Sequence, residues 1–254
     1  MKFNQKIALI TGGNRGLGKN TALRLAGCGA DSIITYHNHK EEADSVVSEI
    51  EAKDQRAVAL QLDVGDIKSF DGFIQQVSNT LKDKWGRDKF DFLINNAGIG
   101  AHGTVEQMTE EDFDRLFNIH FKGVYFLTQK AIPLLNDNGR VINISSGLAR
   151  FTLPGYSAYA SMKGAIETFT RYIAKELGQR GITANLVAPG AIETDFTKPA
   201  FDADPQRKEM IASLTALGRV GVPDDIGGVV AFLCSEDARW VNGQRLEASG
   251  GIFL

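Results

Sequence analysis

Tyr159 and Lys163 are spaced so that a helix would place them one turn apart, and Ser146 lies a short way upstream. A phenol can act as acid or base near neutrality only if its surroundings lower its pKa from about 10. On a helix, a lysine four residues on shares the tyrosine's face. Its ammonium would favour the phenolate and draw the tyrosine pKa down. A serine hydroxyl alongside could hold a carbonyl oxygen while the tyrosine gives or takes a proton. Those are the parts needed to interconvert a carbonyl and an alcohol. Alone, a Tyr and a Lys at this spacing also describe an ordinary surface pair, so the surrounding elements must carry the reading.

The start of the chain supplies such elements. Residues 6–11 form a short, mainly apolar run, as a buried parallel strand requires. Gly12-Gly13-Asn14-Arg15-Gly16-Leu17-Gly18 follows. A helical pattern then puts Leu17, Ala22, Leu25 and Ala26 on one side, and residues 32–36 read as a second strand. Strand, glycine-rich turn, helix and strand is the context of dinucleotide binding. Gly12 would allow the tight turn. Gly16 would admit a pyrophosphate to the helix N-terminus, and Gly18 would let the helix pack on the strand. The spacing is TGxxxGxG rather than GxGxxG.

Further strands are expected near 57–62, 90–95, 140–145, 182–188 and 244–247, with the first near 5–11 and the second near 31–36. Helices are expected near 16–27, 40–53, 66–84, 109–135, 157–179 and 223–234. This alternation predicts an α/β, single-domain Rossmann fold over residues 1–254, a doubly wound seven-stranded parallel sheet flanked by helices. Asp63-Val64, Asn95-Asn96-Ala97-Gly98 and Pro189-Gly190 would then follow strand carboxyl ends, where open sheets bind ligands.

TGGNRGLG, Asn95-Asn96-Ala97-Gly98, Asn118, Ser146, Tyr159 with Lys163, and Pro189-Gly190 occur in one order across residues 5–251. The set resembles the short-chain dehydrogenase/reductases. The resemblance implies that Tyr159 is the proton donor in carbonyl reduction and the base in alcohol oxidation. It implies that Lys163 holds the nicotinamide ribose and lowers the tyrosine pKa, that Ser146 binds the substrate oxygen, and that Asn118 completes a water relay from Lys163. Asn118 also reads as a helix-kink residue, a role compatible with the relay. Cofactor contacts are implied for Gly12, Asn14, Arg15, Gly16, Leu17 and Gly18 in the first turn. Asp63 and Val64 would border the adenine, and Asn95, Ala97 and Gly98 would line the cofactor. Asn95 and Asn96 also read as structural amides that bond the backbone of neighbouring strands. Pro189 and Gly190 would pass the nicotinamide, with Ile192 and Thr194 on its carboxamide.

An acidic side chain just after the second strand would bond the ribose hydroxyls and repel a 2′-phosphate. Tyr36-His37-Asn38-His39-Lys40 has none there, and Arg15 stands in the glycine turn. Arg15 with Tyr36, His37 and Asn38 could hold a 2′-phosphate. The expected cofactor is NADP(H), with NAD(H) second.

The expected substrate pocket contains Ser146, Leu148, Leu153, Tyr156, Phe196 and Phe201. Tyr156 has Ala160, not a lysine, one turn on. Residues 191–213 read as a substrate lid with an apolar inner face, the alternative being a surface helix packed on the body. The expected reaction is NADPH-dependent reduction of a small-molecule ketone to a secondary alcohol. The first alternative is a 3-oxoacyl-acyl-carrier-protein reductase, a relative that docks an acidic carrier on basic residues. Arg180 fits one docking position, whereas Asp137, before the fifth strand, would repel the carrier. A sugar or polyol dehydrogenase and a non-catalytic NADP(H)-binding sensor are further alternatives. Such sensors usually lose the tyrosine or lysine that this chain keeps. No GxSxG elbow supports a serine hydrolase.

Composition excludes other classes. The 254 residues carry 28 Lys+Arg against 31 Asp+Glu, a net charge of −3, with no basic footprint for nucleic acid. No apolar run has the length of a membrane span. Two cysteines, Cys28 and Cys234, suit a reducing cytoplasm, and both are expected buried. The first residues are expected to lead straight into a strand and to leave no room for a signal peptide. No metal is expected, because His37 and His39 lack a third ligand. His102 lies where it would touch substrate, and neither it nor His120 has a catalytic pattern. The helices at 109–135 and 157–179 are apolar on more than one face. With residues 241–254, the resemblance makes them the faces of a homotetramer.

Overall fold

Short apolar segments form strands and the amphipathic segments between them form helices. The computed structural model describes residues 1–254, the side chains of Ala200 and Pro205 apart. The chain runs β1 (Ile7–Ile10), α1 (Gly16–Ala26), β2 (Asp31–Tyr36), α2 (Lys40–Glu51), β3 (Ala57–Gln61), α3 (Phe70–Trp85) and β4 (Phe90–Asn95). It continues through α4 (Glu110–Phe117), α5 (Gly123–Ala131), β5 (Leu135–Ile144), α6 (Ser157–Glu176) and β6 (Thr183–Pro189). It closes with α7 (Lys198–Ala203), α8 (Pro205–Ser213), α9 (Asp224–Cys234) and β7 (Arg245–Ala248). The strands form one sheet in the order β3-β2-β1-β4-β5-β6-β7, and every pairing is parallel. This is the expected doubly wound Rossmann fold.

Side-chain alternation along the strands builds the two covered faces. In β1, Ala8 and Ile10 join the core under α1, α2 and α9, with Leu25, Val46 and Val230. Ile7 and Leu9 point the other way, into the core under α3, α5 and α6, with Phe73, Leu127 and Ile173. All four are fully buried, which is why β1 reads as a continuous apolar run. The order reverses between β1 and β4, so their carboxyl ends open a crevice where ligands bind such sheets.

Three elements depart from expectation. The helix at 109–135 is not continuous: α4 and α5 are separated by one wide π turn, Asn118–Lys122. Strand β5 begins early, at Leu135, which pairs with Phe90. Residues 136–139 then bulge before Arg140 resumes the ladder opposite Phe92. The segment expected as a lid, or as one surface helix, folds as two short helices, α7 and α8. Of the cysteines, Cys234 is buried but Cys28 only half so, and both are free thiols.

Candidate active site

A single cavity of about 680 Å³ runs along the strand carboxyl ends from the glycine turn to α8. Its volume lies in the range of cofactor and ligand sites. At one end β1 turns through Gly12 (φ +63°) and Gly16 (φ +54°), a conformation that side chains with a Cβ resist. The residue before α1, Arg15, is extended and no side chain caps the helix. The first N–H groups of α1 are thus left for an anion. Arg15 is exposed along the cavity, and among the described residues no carboxylate pairs with it. Past β2, Tyr36, His37, Asn38 and His39 line the same end. His37 Nε2 stands 3.6 Å from an Asp63 carboxylate oxygen. The residues present fit a dinucleotide with a phosphate near Arg15.

The sheet also explains the two asparagines after β4. Asn95 points into the core, where its Nδ2 donates to Asn143 Oδ1 (2.8 Å) and Thr128 Oγ1 (3.0 Å). Asn96 points back across the crevice and donates to the carbonyls of Thr11 (2.9 Å) and Gly12 (3.1 Å). This pins the glycine turn to the neighbouring loop.

Tyr159, Lys163 and Ser146 converge midway along the cavity. Tyr159 and Lys163 sit on α6, and Ser146 follows β5 directly, its Oγ accepting from the Leu148 N–H at 3.2 Å. The Lys163 ammonium is buried and donates to the carbonyl of Ile144 at 2.8 Å. Its Nζ lies 5.5 Å from the Tyr159 ring centre. Burial holds the Lys163 pKa down at about 8. Burial also raises the Tyr159 phenol to about 12, against the lowering effect of its hydrogen bond with Ser146. The expected lowering of the tyrosine pKa therefore does not hold in the protein alone. The cost of burying a phenolate exceeds the help the neighbouring groups give.

Most of the expected site residues line this one cavity. Gly12, Asn14, Arg15, Gly16, Leu17, Asp63, Val64, Ala97, Gly98, Pro189, Gly190, Ile192 and Thr194 do so at the cofactor end. Leu148, Leu153, Tyr156, Phe196 and Phe201 do so at the substrate end. Asn95, Gly18 and Asn118 are not in the wall. Asn95 is turned into the core, as above. Gly18 lies behind the turn, where a Cβ would come 2.1 Å from the Gly12 carbonyl oxygen. Asn118 opens the π turn, and Ile119 and His120 face the cavity instead.

His120 is the main residue that the sequence pattern missed. It is buried, packs edge-on against the Tyr159 ring at 5.1 Å, and contacts the Ile99 backbone through Nε2. Burial, aided by the Lys163 charge, holds its pKa at about 3, so it is neutral. Only its position two residues past Asn118 could have drawn attention to it. Arg207, on α8, and Ile252 and Phe253, near the chain end, also line the cavity. Phe253 packs on Phe151 within the chain, ring centres 4.7 Å apart. His102 is exposed and packs on Tyr156, ring centres 5.2 Å apart.

Arg180 is engaged within the chain through each of its three guanidinium nitrogens. It donates to Asp137 Oδ1 (2.8 Å) and to the carbonyls of Ile132 (3.2 Å) and Leu135 (2.5 Å). Asp137 is thus its partner rather than a separate repulsive charge. Among the described residues no cluster of His, Cys, Asp and Glu could hold a metal, and no helix is long and apolar enough to cross a membrane.

A glycine turn at the switch of a parallel sheet, leading to a serine, a tyrosine and a lysine, defines a dinucleotide-dependent oxidoreductase. The chain belongs to the short-chain dehydrogenase/reductase family: residues 12–252 match the family model described as enoyl-(acyl carrier protein) reductase. An uncharacterized oxidoreductase of Methylorubrum extorquens is 38% identical over 99% of both chains. Among solved structures, LugOII is a promiscuous reductase that catalyses keto-reduction at C1 during lugdunomycin biosynthesis. It superposes with a TM-score of 0.94 at 36% identity, over 100% of both chains. The landomycin C-6 ketoreductase LanV, with bound NADP and rabelomycin, gives 0.89 at 36% identity, over 98% of this chain and 97% of that one.

Proposed function

We propose that this protein is an NADP(H)-dependent ketone reductase that forms a secondary alcohol. The observation that carries the reading is one continuous cavity. It joins an uncapped helix N-terminus and an unpaired Arg15 at one end to Ser146, Tyr159 and Lys163 at its middle. Similarity to ketoreductases such as LugOII and LanV, the latter with NADP bound, supports both the reaction class and the cofactor.

NADPH would supply the hydride. Ser146 orients the substrate carbonyl oxygen towards the phenol. With its pKa at about 12, Tyr159 is protonated at neutral pH and ready to donate to the developing alkoxide. Lys163 is mostly charged at pH 7, and its ammonium stabilises the phenolate as the proton leaves. We assign proton resupply to the Lys163 side, towards Asn118 in the wide turn. His120, neutral and wedged against the tyrosine ring, limits the ring's movement. In the oxidative direction the same groups act in reverse, with Tyr159 as base.

Reduction of a carrier-bound 3-oxoacyl group is the second reading. It loses support because Arg180 is already paired with Asp137 and held by two backbone carbonyls of its own chain. We further propose a homotetramer, in which Tyr172 on α6 and Trp240 before β7, 62% and 96% exposed, would be covered. Two free thiols fit a reducing, cytoplasmic setting.

The test is consumption of NADPH and NADH, in parallel, with an aryl ketone, a β-keto ester and an acetoacetyl thioester. NADPH-dependent turnover of the free ketones is expected, reduced about 10³-fold in Tyr159→Phe. Turnover confined to the thioester would establish the carrier-bound reading instead. Tight NADPH binding with no turnover of any of them would favour a binding protein over an enzyme.

A further inference from the structure

The substrate end of the cavity is mainly apolar, with Leu148, Phe151, Leu153, Met210 and Phe253 in its wall. One half-buried cation, Arg207 on α8, is set among them. Its Nη2 donates to the Tyr156 hydroxyl at 2.7 Å. That uses one of the five N–H donors of a guanidinium.

Among the described residues no carboxylate pairs with Arg207. The neighbouring acids are accounted for. Asp204 accepts from the backbone N–H groups of Gln206 (3.1 Å) and Arg207 (3.3 Å). Glu193 accepts from Lys208 at 2.8 Å. Asp195 is exposed along the cavity and makes no ion pair with it. Arg150, packed on Phe151, shows the contrast: both arms of its fork meet Glu247, each at 2.7 Å.

A guanidinium turned to an apolar cavity without a counter-charge is matched to an anionic oxygen, which is costly to desolvate unless charge and hydrogen bonds meet it. Tyr156 adds to the match. Its oxygen accepts from Arg207, so its own O–H is left to donate in the same region. His102, edge-on to the Tyr156 ring, helps hold that orientation. Tyr156 immediately precedes α6 and Tyr159 lies in its first turn, so the pair and the reacting phenol line one cavity.

We infer that Arg207 and Tyr156 anchor an acidic oxygen of the substrate, a phenolate or a carboxylate, at the end remote from the carbonyl being reduced. The substrate class is then an apolar ketone bearing an acidic oxygen, not a bare hydrocarbon ketone. This inference rests on the ketone-reductase reading, and its test separates the two.

Matched probes suffice: a hydroxytetralone with its methyl ether, and a tetralone carboxylate with its methyl ester. Affinities are measured by calorimetry on Tyr159→Phe protein saturated with NADPH, so that no turnover intervenes. Arg207→Gln is expected to weaken the acidic probes about 30-fold, as loss of a hydrogen bond to a charged group would. The ether and ester should change less than about 2-fold. Tyr156→Phe should weaken the acidic probes about 5-fold, and Arg207→Lys should recover part of the carboxylate affinity. NADPH affinity should be unchanged throughout, which shows that each variant is folded. Preference for the phenol alone or the carboxylate alone supports the anchor and identifies its ligand. Equal losses for acidic and capped probes, or no loss for either, overturns it. If the unmutated enzyme reduces none of the probes yet prefers the acidic ones in binding, the anchor stands and the reductase reading falls.

Discussion

The two ends of the cavity are built differently. At the nucleotide end, backbone touches backbone. Gly18 packs so closely on Gly12 that no Cβ fits, and Asn96 ties two loops together with buried hydrogen bonds. Strand β1 beneath is fully buried on both faces. At the substrate end, α7 and α8 rest on a small cluster of Phe201, Ile211, Val220 and Ile252. One exposed ion pair adds to the attachment, Lys208 on α8 to Glu193 at 2.8 Å. A close-packed end keeps one geometry because interiors tolerate little change of volume. A loosely tied end can open for substrate, as lids do. The lesson is that cofactor geometry here is set by packing, and substrate choice by a few side chains on a movable element.

The largest expected effect comes from breaking the rigid end. Gly18→Ala forces a Cβ into the Gly12 carbonyl, which is backbone and cannot swing aside. NADPH binding should drop at least about 100-fold, or the protein should fail to fold, since overpacking of this kind costs several kcal/mol. Near-normal NADPH affinity by fluorescence titration would show that the close approach is dispensable.

Arg15 sharpens the same comparison, because it acts at that end by charge rather than packing. Arg15→Leu should weaken NADPH about 10- to 100-fold, in line with loss of charged hydrogen bonds, and leave NADH within about 2-fold. Equal weakening of both cofactors would remove Arg15 from 2′-phosphate recognition.

Between the two ends, Lys163 should govern the pH profile. Its pKa is depressed to about 8, so its charge is present below that value and lost as pH rises through it. Tyr159 stays protonated over the same range. Ketone reduction, followed as kcat/KM, should therefore fall about tenfold per pH unit above about 8. Alcohol oxidation, which needs the phenolate, should not share that early loss. Lys163→Arg should push the limb to higher pH, because a guanidinium keeps its proton. A flat reduction profile up to pH 10 would mean that Lys163 charge is not required.

The smallest effect should come from the lid. Lys208→Ala removes an exposed ion pair with Glu193, worth well under about 1 kcal/mol. KM should rise no more than about 3-fold, NADPH affinity should not move, and added salt should erase the difference. A large fall in NADPH affinity would mean that the two ends are not independent.

Much of this site was legible in the residue order. Tyr159 and Lys163 are joined by local helix geometry, and the glycine turn by the strand and helix on either side of it. Such features depend on neighbours a few residues apart, so spacing reveals them. The break at Asn118 was only half legible: the residue reads as a helix kink, but α4 and α5 share the apolar pattern of one long helix and nothing in it marks the extra residue of a π turn. For Asn95 the motif allows both a cofactor contact and a structural role, and strand alternation turns its side chain into the core.

By itself, the sequence determined the parallel sheet, the crevice at its switch point and the identities of the tyrosine, lysine and serine that meet there. Tertiary structure decided the rest. It set the pKa values of Tyr159 and Lys163, opposite in part to what their spacing implied, because burial outweighs a neighbouring charge at short range. It brought Arg207 to Tyr156 across 51 residues of chain, and pressed His120 against Tyr159. The physical reason is one of range. Periodicity and turn chemistry are properties of adjacent residues, whereas desolvation and long-range pairing exist only once distant segments have packed together.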